Sequence, residues 1–155
     1  MFSLIPIPSV KYIVQVDMHN LFPDRKNDDL KIIEYMDKLV NEGYPSITSN
    51  VMSWHSEWQS HIVHDEVLKY FVNDLLKTVE DPRVSESFAN TNYIQINDLW
   101  MSLQRKKEWV RKHDHYGHFN NLCFCYYLNM EKNSAPINFF HNSVPAVSGR
   151  VASTP

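Results

Sequence analysis

Apolar residues recur at helical spacing in two segments of the first half of the chain. One stripe runs from Leu30 to Val40, behind a polar stretch at 24–29 and ahead of Gly43, a residue suited to a helix end. A second stripe runs from Val67 to Val79 and stops before Asp81-Pro82. The pattern predicts two amphipathic helices.

A period of two residues marks the candidate strands. Residues 10–16 are rich in β-branched side chains, and after residue 90 the spacing changes from the helical period to the strand period. The segments at 99–103, 122–128 and 137–140 each resemble a strand, and 122–128 is the clearest of them. The sequence therefore predicts an α+β fold in which helices cover one face of an antiparallel sheet.

The length of 155 residues fits one domain, and a hydrophobic content of 43% supplies a core. We expect a single domain at 1–140, with a helical layer at about 1–90 and a sheet at about 91–140. Periodicity is lost at 141–155, which we interpret as an irregular tail.

Charge and cysteine content narrow the class of protein. A net charge of −3 does not indicate a nucleic-acid-binding protein, and no apolar run suggests a membrane span. Cys123 and Cys125 stand two residues apart, which makes a poor disulfide. We expect a cytoplasmic protein in a reducing compartment.

Three of the eight histidines, His113, His115 and His118, fall within six positions. On a strand, His113 and His115 would point to the same side and could reach one metal ion. Neutral imidazole is a good ligand for iron, zinc, copper and nickel. The alternative is that this stretch is a solvated polar loop. We interpret His118 as a surface residue, or as a residue that contacts the metal ligands without binding the metal itself.

The order of several motifs resembles that of a group of iron(II)- and 2-oxoglutarate-dependent oxygenases found in bacteria and their phages. The resemblance covers about residues 1 to 140 and rests on the order of the motifs rather than on any one of them. The motifs are Ser49-Asn50, Trp54, Trp58-Gln59-Ser60, a Trp-containing strand, His113-Asp114-His115, Tyr126-Tyr127-Leu128 and Ile137-Asn138-Phe139-Phe140.

This resemblance implies a double-stranded β-helix, or jelly-roll, core buttressed by N-terminal helices. It implies that His113 and His115 bind iron(II), with a later histidine as third ligand and a basic residue that pairs with 2-oxoglutarate. The candidates for those two later roles are His141 and Arg150. Tyr126 could line the jelly-roll cavity and hydrogen-bond the cosubstrate carboxylate, although a half-buried core tyrosine is the alternative.

The sequence departs from the family pattern in two respects. His115 stands where the wider superfamily usually has a carboxylate, and only 40 residues follow it, too few for the late strands. We expect either a C-terminally truncated or frame-shifted chain, or a homodimer in which a second copy completes the sheet. The alternative function is a non-catalytic, cupin-like binding module, although Phe119 and Asn120 occupy the positions where a cupin needs Glu.

Three further features have simple structural interpretations. Trp54 and Trp58 could stack on a substrate, but packing in the core is the more common use of such residues. Cys123 and Cys125 could bind zinc with the histidines, although their spacing matches no standard zinc module. The basic run at 105–107 predicts a solvated connection that could also attract an anionic cosubstrate.

Overall fold

The structure is a computed structural model that describes residues 2–7, 10–47, 52–85, 94–111, 122–131, 134, 137–141 and 144–149. Five helices and six strands lie in these ranges. The helices are α1 (Met18–Leu21), α2 (Arg25–Asn41), α3 (Ser60–Val63), α4 (Asp65–Glu80) and α5 (Pro82–Ser85). The strands are β1 (Phe2–Ile7), β2 (Val10–Val16), β3 (Trp54–His55), β4 (Ser102–Leu103), β5 (Ile137–His141) and β6 (Val144–Gly149).

Both predicted helices are confirmed as α2 and α4. Helix α2 ends two residues before Gly43, which adopts a φ of +78°, so the Tyr44 N–H can donate to the Leu39 carbonyl. Helix α4 ends at Glu80 because the extended Asp81 redirects the chain and Pro82 begins the separate helix α5. Local sequence signals therefore account for the C-terminal ends of both long helices.

The hydrophobic core lies between α2 and α4. Ile32, Met36 and Leu39 of α2 and Leu68, Phe71 and Leu75 of α4 are buried together with residues from other segments. The residues from other segments are Met18, Trp54, Leu99 and Met101, and Val79 of α4 is buried as well. In the described part of the chain, no helix is long and apolar enough to cross a membrane.

Three antiparallel sheets of two strands each accompany the helices: β1 with β2, β3 with β4, and β5 with β6. The fold is therefore of the predicted mixed α+β class. The strands predicted at 10–16 and 137–140 are confirmed as β2 and β5. Strand β1 was not predicted, and it places a hairpin within the segment expected to be a helical layer.

One strand prediction is wrong, and another is confirmed only in part. Residues 122–128 form no strand, although their sequence has the strongest strand pattern, and the strand expected at 99–103 is reduced to Ser102–Leu103. A strand pattern is realised only when a neighbouring segment supplies the ladder of hydrogen bonds. The 122–128 segment has no such neighbour among the described residues and is anchored by side chains instead.

The prediction of an irregular tail from residue 141 is also wrong for Val144–Gly149. These residues form β6 and pair with β5, with Ile137 opposite Gly149 and His141 opposite Val144. The sequence signal was hidden because Pro145, Ala146 and Gly149 depart from the usual composition of strands. Residues 150–155 lie outside the described ranges.

Candidate functional site

The proposed iron ligands His113 and His115, together with His118 and Arg150, lie outside the described residues. His141 is the last residue of β5. The structure therefore does not test whether these side chains meet at one metal ion. Within the described ranges, no group of three or more His, Cys, Asp or Glu side chains could hold a metal.

Tyr126 is half-buried in a network of charged side chains. Its hydroxyl donates a hydrogen bond of 2.5 Å to Asp29 Oδ2, and its ring lies 5.1 Å from the ring of Phe71. Burial and the adjacent Asp29 carboxylate raise the pKa of Tyr126, so its hydroxyl stays protonated and acts as a donor. The hydroxyl thus donates to a carboxylate of the chain itself. A contact of Tyr126 with a cosubstrate carboxylate stays a prediction.

We name this network the Arg25 cluster: Arg25, Asp29, Asp74, His19 and Tyr126. The Arg25 side chain is 0% exposed. Its Nε donates to Asp29 Oδ1 at 2.8 Å, and its Nη1 donates to Asp74 Oδ2 at 3.1 Å. A guanidinium out of contact with water is tolerated because two carboxylates accept from it.

The two remaining members differ in exposure. His19 is half-exposed and places its Nε2 2.8 Å from Asp29 Oδ2, the oxygen that also accepts from Tyr126. Asp29 is therefore shared by helix α2, helix α1 and the segment at 122–131. Sequence reasoning missed this cluster because Arg25 and Asp29 stand in a polar run that resembles a solvated loop. Their spacing of four residues at a helix start was the available signal.

A second cluster, the His64 cluster, comprises the buried His64 and the partly buried Glu57, Tyr35 and Tyr44. His64 Nδ1 lies 2.9 Å from the Tyr35 hydroxyl, and its Nε2 lies 3.0 Å from Glu57 Oε1. This contact does not meet the geometry of a hydrogen bond at Nε2. The Tyr44 hydroxyl donates to the same Glu57 oxygen at 2.8 Å.

Glu57 is the negative member of the His64 cluster. Burial alone would raise the pKa of Glu57, but hydrogen bonds from its own backbone and from Tyr44, together with the adjacent imidazole of His64, outweigh it and lower the pKa. The carboxylate is therefore ionised near neutral pH. The cluster links α2 to the chain before α3 and to the start of α4. Its polar side chains therefore have a structural role.

Aromatic rings gather where residues 54–60 meet residues 99–103. We name His55, Trp58 and Trp100 the His55 cluster, in which ring centroids are separated by 5.0 to 5.5 Å. Trp54 is buried and its indole N–H donates to the Tyr44 carbonyl, so the interpretation of Trp54 as a core residue is confirmed. Trp58 is 44% exposed and forms the outer face of the cluster.

Backbone and serine hydrogen bonds hold the same junction together. The N–H of Ser56 donates to the Met101 carbonyl at 3.0 Å, and the N–H of Met101 donates to Ser56 Oγ at 2.8 Å. Ser56 and Ser60, both fully buried, place their hydroxyl oxygens 2.6 Å apart. Because they satisfy each other and nearby backbone groups, these serines are structural rather than nucleophilic.

The remaining candidates show little sign of chemistry. Cys123 and Cys125 are free thiols, and burial raises the pKa of both, which disfavours the reactive thiolate. The basic run at 105–107 is exposed, in agreement with a solvated connection, and Lys107 occupies its turn with a φ of 73°.

No protein-family model, curated protein or solved structure matches the chain. The resemblance to the oxygenases therefore continues to rest on the motifs in the sequence.

Proposed function

We propose that the chain provides the first part of an iron(II)- and 2-oxoglutarate-dependent oxygenase site, with His113 and His115 as metal ligands. The observation that supports this is the order of the motifs, in which His113-Asp114-His115 precedes the apolar segment ending in Tyr126-Tyr127-Leu128. The proposed fold is an incomplete jelly-roll, and an oxygenase of the hydroxylase type is the proposed activity.

The donor set suits the proposed metal. Two neutral imidazoles are good ligands for iron(II), and a third protein ligand would complete the facial arrangement that leaves positions open for a cosubstrate and O₂. When bound, the metal with 2-oxoglutarate would supply the oxidising chemistry. His141 at the end of β5 is the proposed third ligand, and Arg150 the proposed partner of the cosubstrate carboxylate.

The chain offers support for one part of this arrangement. Tyr126 and Leu128 pack against the hydrophobic core, so the segment that follows the histidine pair is attached to the helical body. Two ligands alone hold a metal weakly, so we expect weak iron binding by a single copy, and strong binding by a single copy would show that His141 completes the ligand set. A homodimer that completes the sheet would strengthen that binding, which would then depend on protein concentration.

An anaerobic titration with iron(II) and 2-oxoglutarate tests this function. We expect a visible charge-transfer band that His113→Ala and His115→Ala abolish. His61→Ala is the control, since it removes an imidazole from helix α3 that is not among the proposed ligands, and it should leave the band intact. A band that survives both ligand substitutions would contradict the proposal.

The same titration distinguishes the proposed oxygenase from the alternative function. Iron binding that depends on His113 and His115, with no charge-transfer band on addition of 2-oxoglutarate, would indicate the cupin-like binding module instead. Size measurement of the protein with and without metal, by light scattering, tests whether two copies associate.

A further inference from the structure

One face of the pair formed by β3 and β4 is turned away from the core. Trp54 and Leu103 lie opposite each other in this pair, and both side chains pack in or against the core. Successive side chains of a strand point to opposite faces. The next pair, His55 and Ser102, therefore points away from the core.

Aromatic rings cover this outer face. Trp100 stacks on His55, with centroids 5.5 Å apart and an angle of 18° between the rings, and Trp58 meets both rings edge-on. His55 is only 3% exposed beneath them, whereas Trp58 is 44% exposed. The outer face therefore presents indole surface to solvent on a packed support.

A basic turn extends from the same strand pair. After β4 the chain passes through the exposed basic residues 105–107 and returns to Met52, whose N–H donates to the Trp109 carbonyl at 2.9 Å. Trp109 is 44% exposed, and the guanidinium carbon of Arg111 lies 5.6 Å from its ring centroid. The turn therefore lies between two tryptophans in the chain, and its start is at most about 18 Å from Trp100.

The charge of this region is opposite in sign to that of the whole chain. Residues 98–111 hold four basic residues and two acidic ones, Asp98 and Glu108, whereas the chain carries a net charge of −3. Glu108 serves the turn itself, because its Oε2 accepts from the N–H of Arg105 at 2.6 Å. On the facing segment, the Glu57 carboxylate is bound within the His64 cluster. Positive charge and exposed indole rings therefore occur together on one surface.

We propose that this surface, formed by Trp58, Trp100, Trp109 and the basic turn at 105–107, binds single-stranded nucleic acid. Proteins that bind single strands stack the bases on aromatic side chains and contact the phosphates with basic ones. A single strand suits both features, since its bases are open to stacking, whereas the bases of a duplex already stack on one another. The net charge of the whole chain conceals such a surface because it averages over distant acidic residues. The inference goes beyond the proposed function and does not depend on it.

The fluorescence anisotropy of a labelled oligothymidylate of about 15 nucleotides, titrated with the full chain at low salt, tests the proposal. An abasic strand of the same length keeps the phosphates and removes the bases. We expect the abasic strand to bind at least about tenfold more weakly, because stacking of one base alone accounts for a factor of that order. The duplex and heparin, a polyanion without bases, should also bind more weakly than the oligothymidylate.

Two substitutions test the stacking rings. Trp58→Ala and Trp109→Ala should each weaken binding about tenfold. Trp58→Phe and Trp109→Phe keep an aromatic ring and should recover most of the lost affinity, which also separates loss of stacking from loss of folding. Tyr70→Ala is the matched control, since it removes an aromatic ring that is 53% exposed on α4, and its affinity should equal that of the wild type.

A double variant tests the basic turn. Arg105→Gln/Lys106→Gln should weaken binding and reduce the dependence of log affinity on log salt concentration by about 1, because two phosphate contacts are lost. Lys26→Gln/Lys38→Gln removes the same charge from exposed positions on α2 and should leave the salt dependence unchanged. Thermal denaturation of each variant checks that it is folded.

Four results would overturn the proposal. Absence of oligothymidylate binding at low salt removes it outright. Equal affinity for the abasic strand or for heparin would show attraction of any polyanion without stacking. Tighter binding of the duplex would assign the surface to a different ligand. Equal losses in the two lysine- and arginine-depleted double variants would show that the charge acts from the whole surface and not from the turn.

Discussion

The helix pair α2 and α4 and the extended segments at 94–111 and 122–131 are stabilised in different ways. Each long helix satisfies its own backbone hydrogen bonds and has one apolar face to bury against the other. The segment at 94–111 is held by the short pairing of β4 with β3 and by backbone hydrogen bonds to residues 52–60, whereas the segment at 122–131 depends on contacts made by individual side chains. A helix therefore follows from a local pattern, whereas these segments depend on particular distant partners.

The two regions also differ in how they use polar groups. Between the helices, charge is buried as the Arg25 cluster, in which each carboxylate is matched to the guanidinium. Where the segment at 94–111 meets residues 52–60, Ser56, Ser60 and backbone amides supply uncharged hydrogen bonds. Loss of one partner should cost more in the charged case, because an uncompensated buried charge is left behind.

Arg25→Ala should give the largest loss of stability. Removal of the guanidinium leaves Asp29 buried without its main partner, and breaking a buried ion pair in this way costs about 3–5 kcal/mol. Chemical denaturation measures the effect. Arg83→Ala, which breaks the exposed pair with Asp81, is the control and should leave the denaturation midpoint unchanged within error. Equal effects of the two substitutions would contradict the assignment of Arg25 to the interior.

Phe71→Ala should cost about 3–5 kcal/mol, the usual range for removal of a buried phenylalanine. Phe71 is 5% exposed and contacts Arg25, Phe124 and Tyr126, so its loss affects both regions at once. Tyr70→Ala is the control on the exposed face of the same helix, where the side chain is 53% exposed. A loss for Tyr70→Ala as large as that for Phe71→Ala would show that the helix face is misassigned.

The sequence was sufficient for the helices because their signals are local. Spacing from Leu30 to Val40 and from Val67 to Val79 predicts α2 and α4, and Gly43 and Pro82 mark where they end. The sequence was insufficient for 122–128. An apolar pattern predicts that a strand is favourable there, but it does not identify the segment that would pair with it. Strand β6 was missed for the opposite reason: its own sequence is poor for a strand, and its pairing with β5 compensates for that.

The candidate site was predictable only as far as residue types allow. The histidine pair at 113 and 115 was found from its spacing, and Tyr126 was singled out on the neighbouring segment. The Arg25 cluster was not, because a charged run suggests solvent exposure. Whether a charge is buried depends on what packs over it, here Phe71 and Tyr126, and those residues are distant in sequence.

Phe124→Ala should have a smaller effect than Phe71→Ala. The strand prediction for 122–128 implies a loss of about 3 kcal/mol or more, the value for a buried phenylalanine. The structure corrects this expectation, because Phe124 is 42% exposed. With a large part of the ring already in water, we expect about 1 kcal/mol from the apolar area that remains buried. A denaturation midpoint shifted as far as in Phe71→Ala would show that the Phe124 ring is buried, as the strand prediction requires.

The smallest expected effect is a pH dependence that arises from His55. Burial lowers the pKa of this imidazole, and the adjacent Ser56 carbonyl only partly opposes the shift. The unfolded chain therefore takes up a proton at a higher pH than the folded chain does, so His55 reduces stability as the pH falls below about 6.5.

His55→Phe keeps an aromatic ring beside Trp100 but cannot titrate. We expect the stability of His55→Phe to fall less than that of the wild type between pH 7.5 and pH 5.5, a window above the range in which Glu57 titrates. Trp58→Phe alters the same cluster without changing its titration, so its difference from the wild type should be equal at the two pH values. Parallel pH profiles for His55→Phe and the wild type would show that His55 is protonated in the folded protein as readily as in the unfolded chain. In that case this junction would tolerate charge as the Arg25 cluster does, and the contrast between the charged contacts of the helix pair and the uncharged contacts of the segment at 94–111 would not hold.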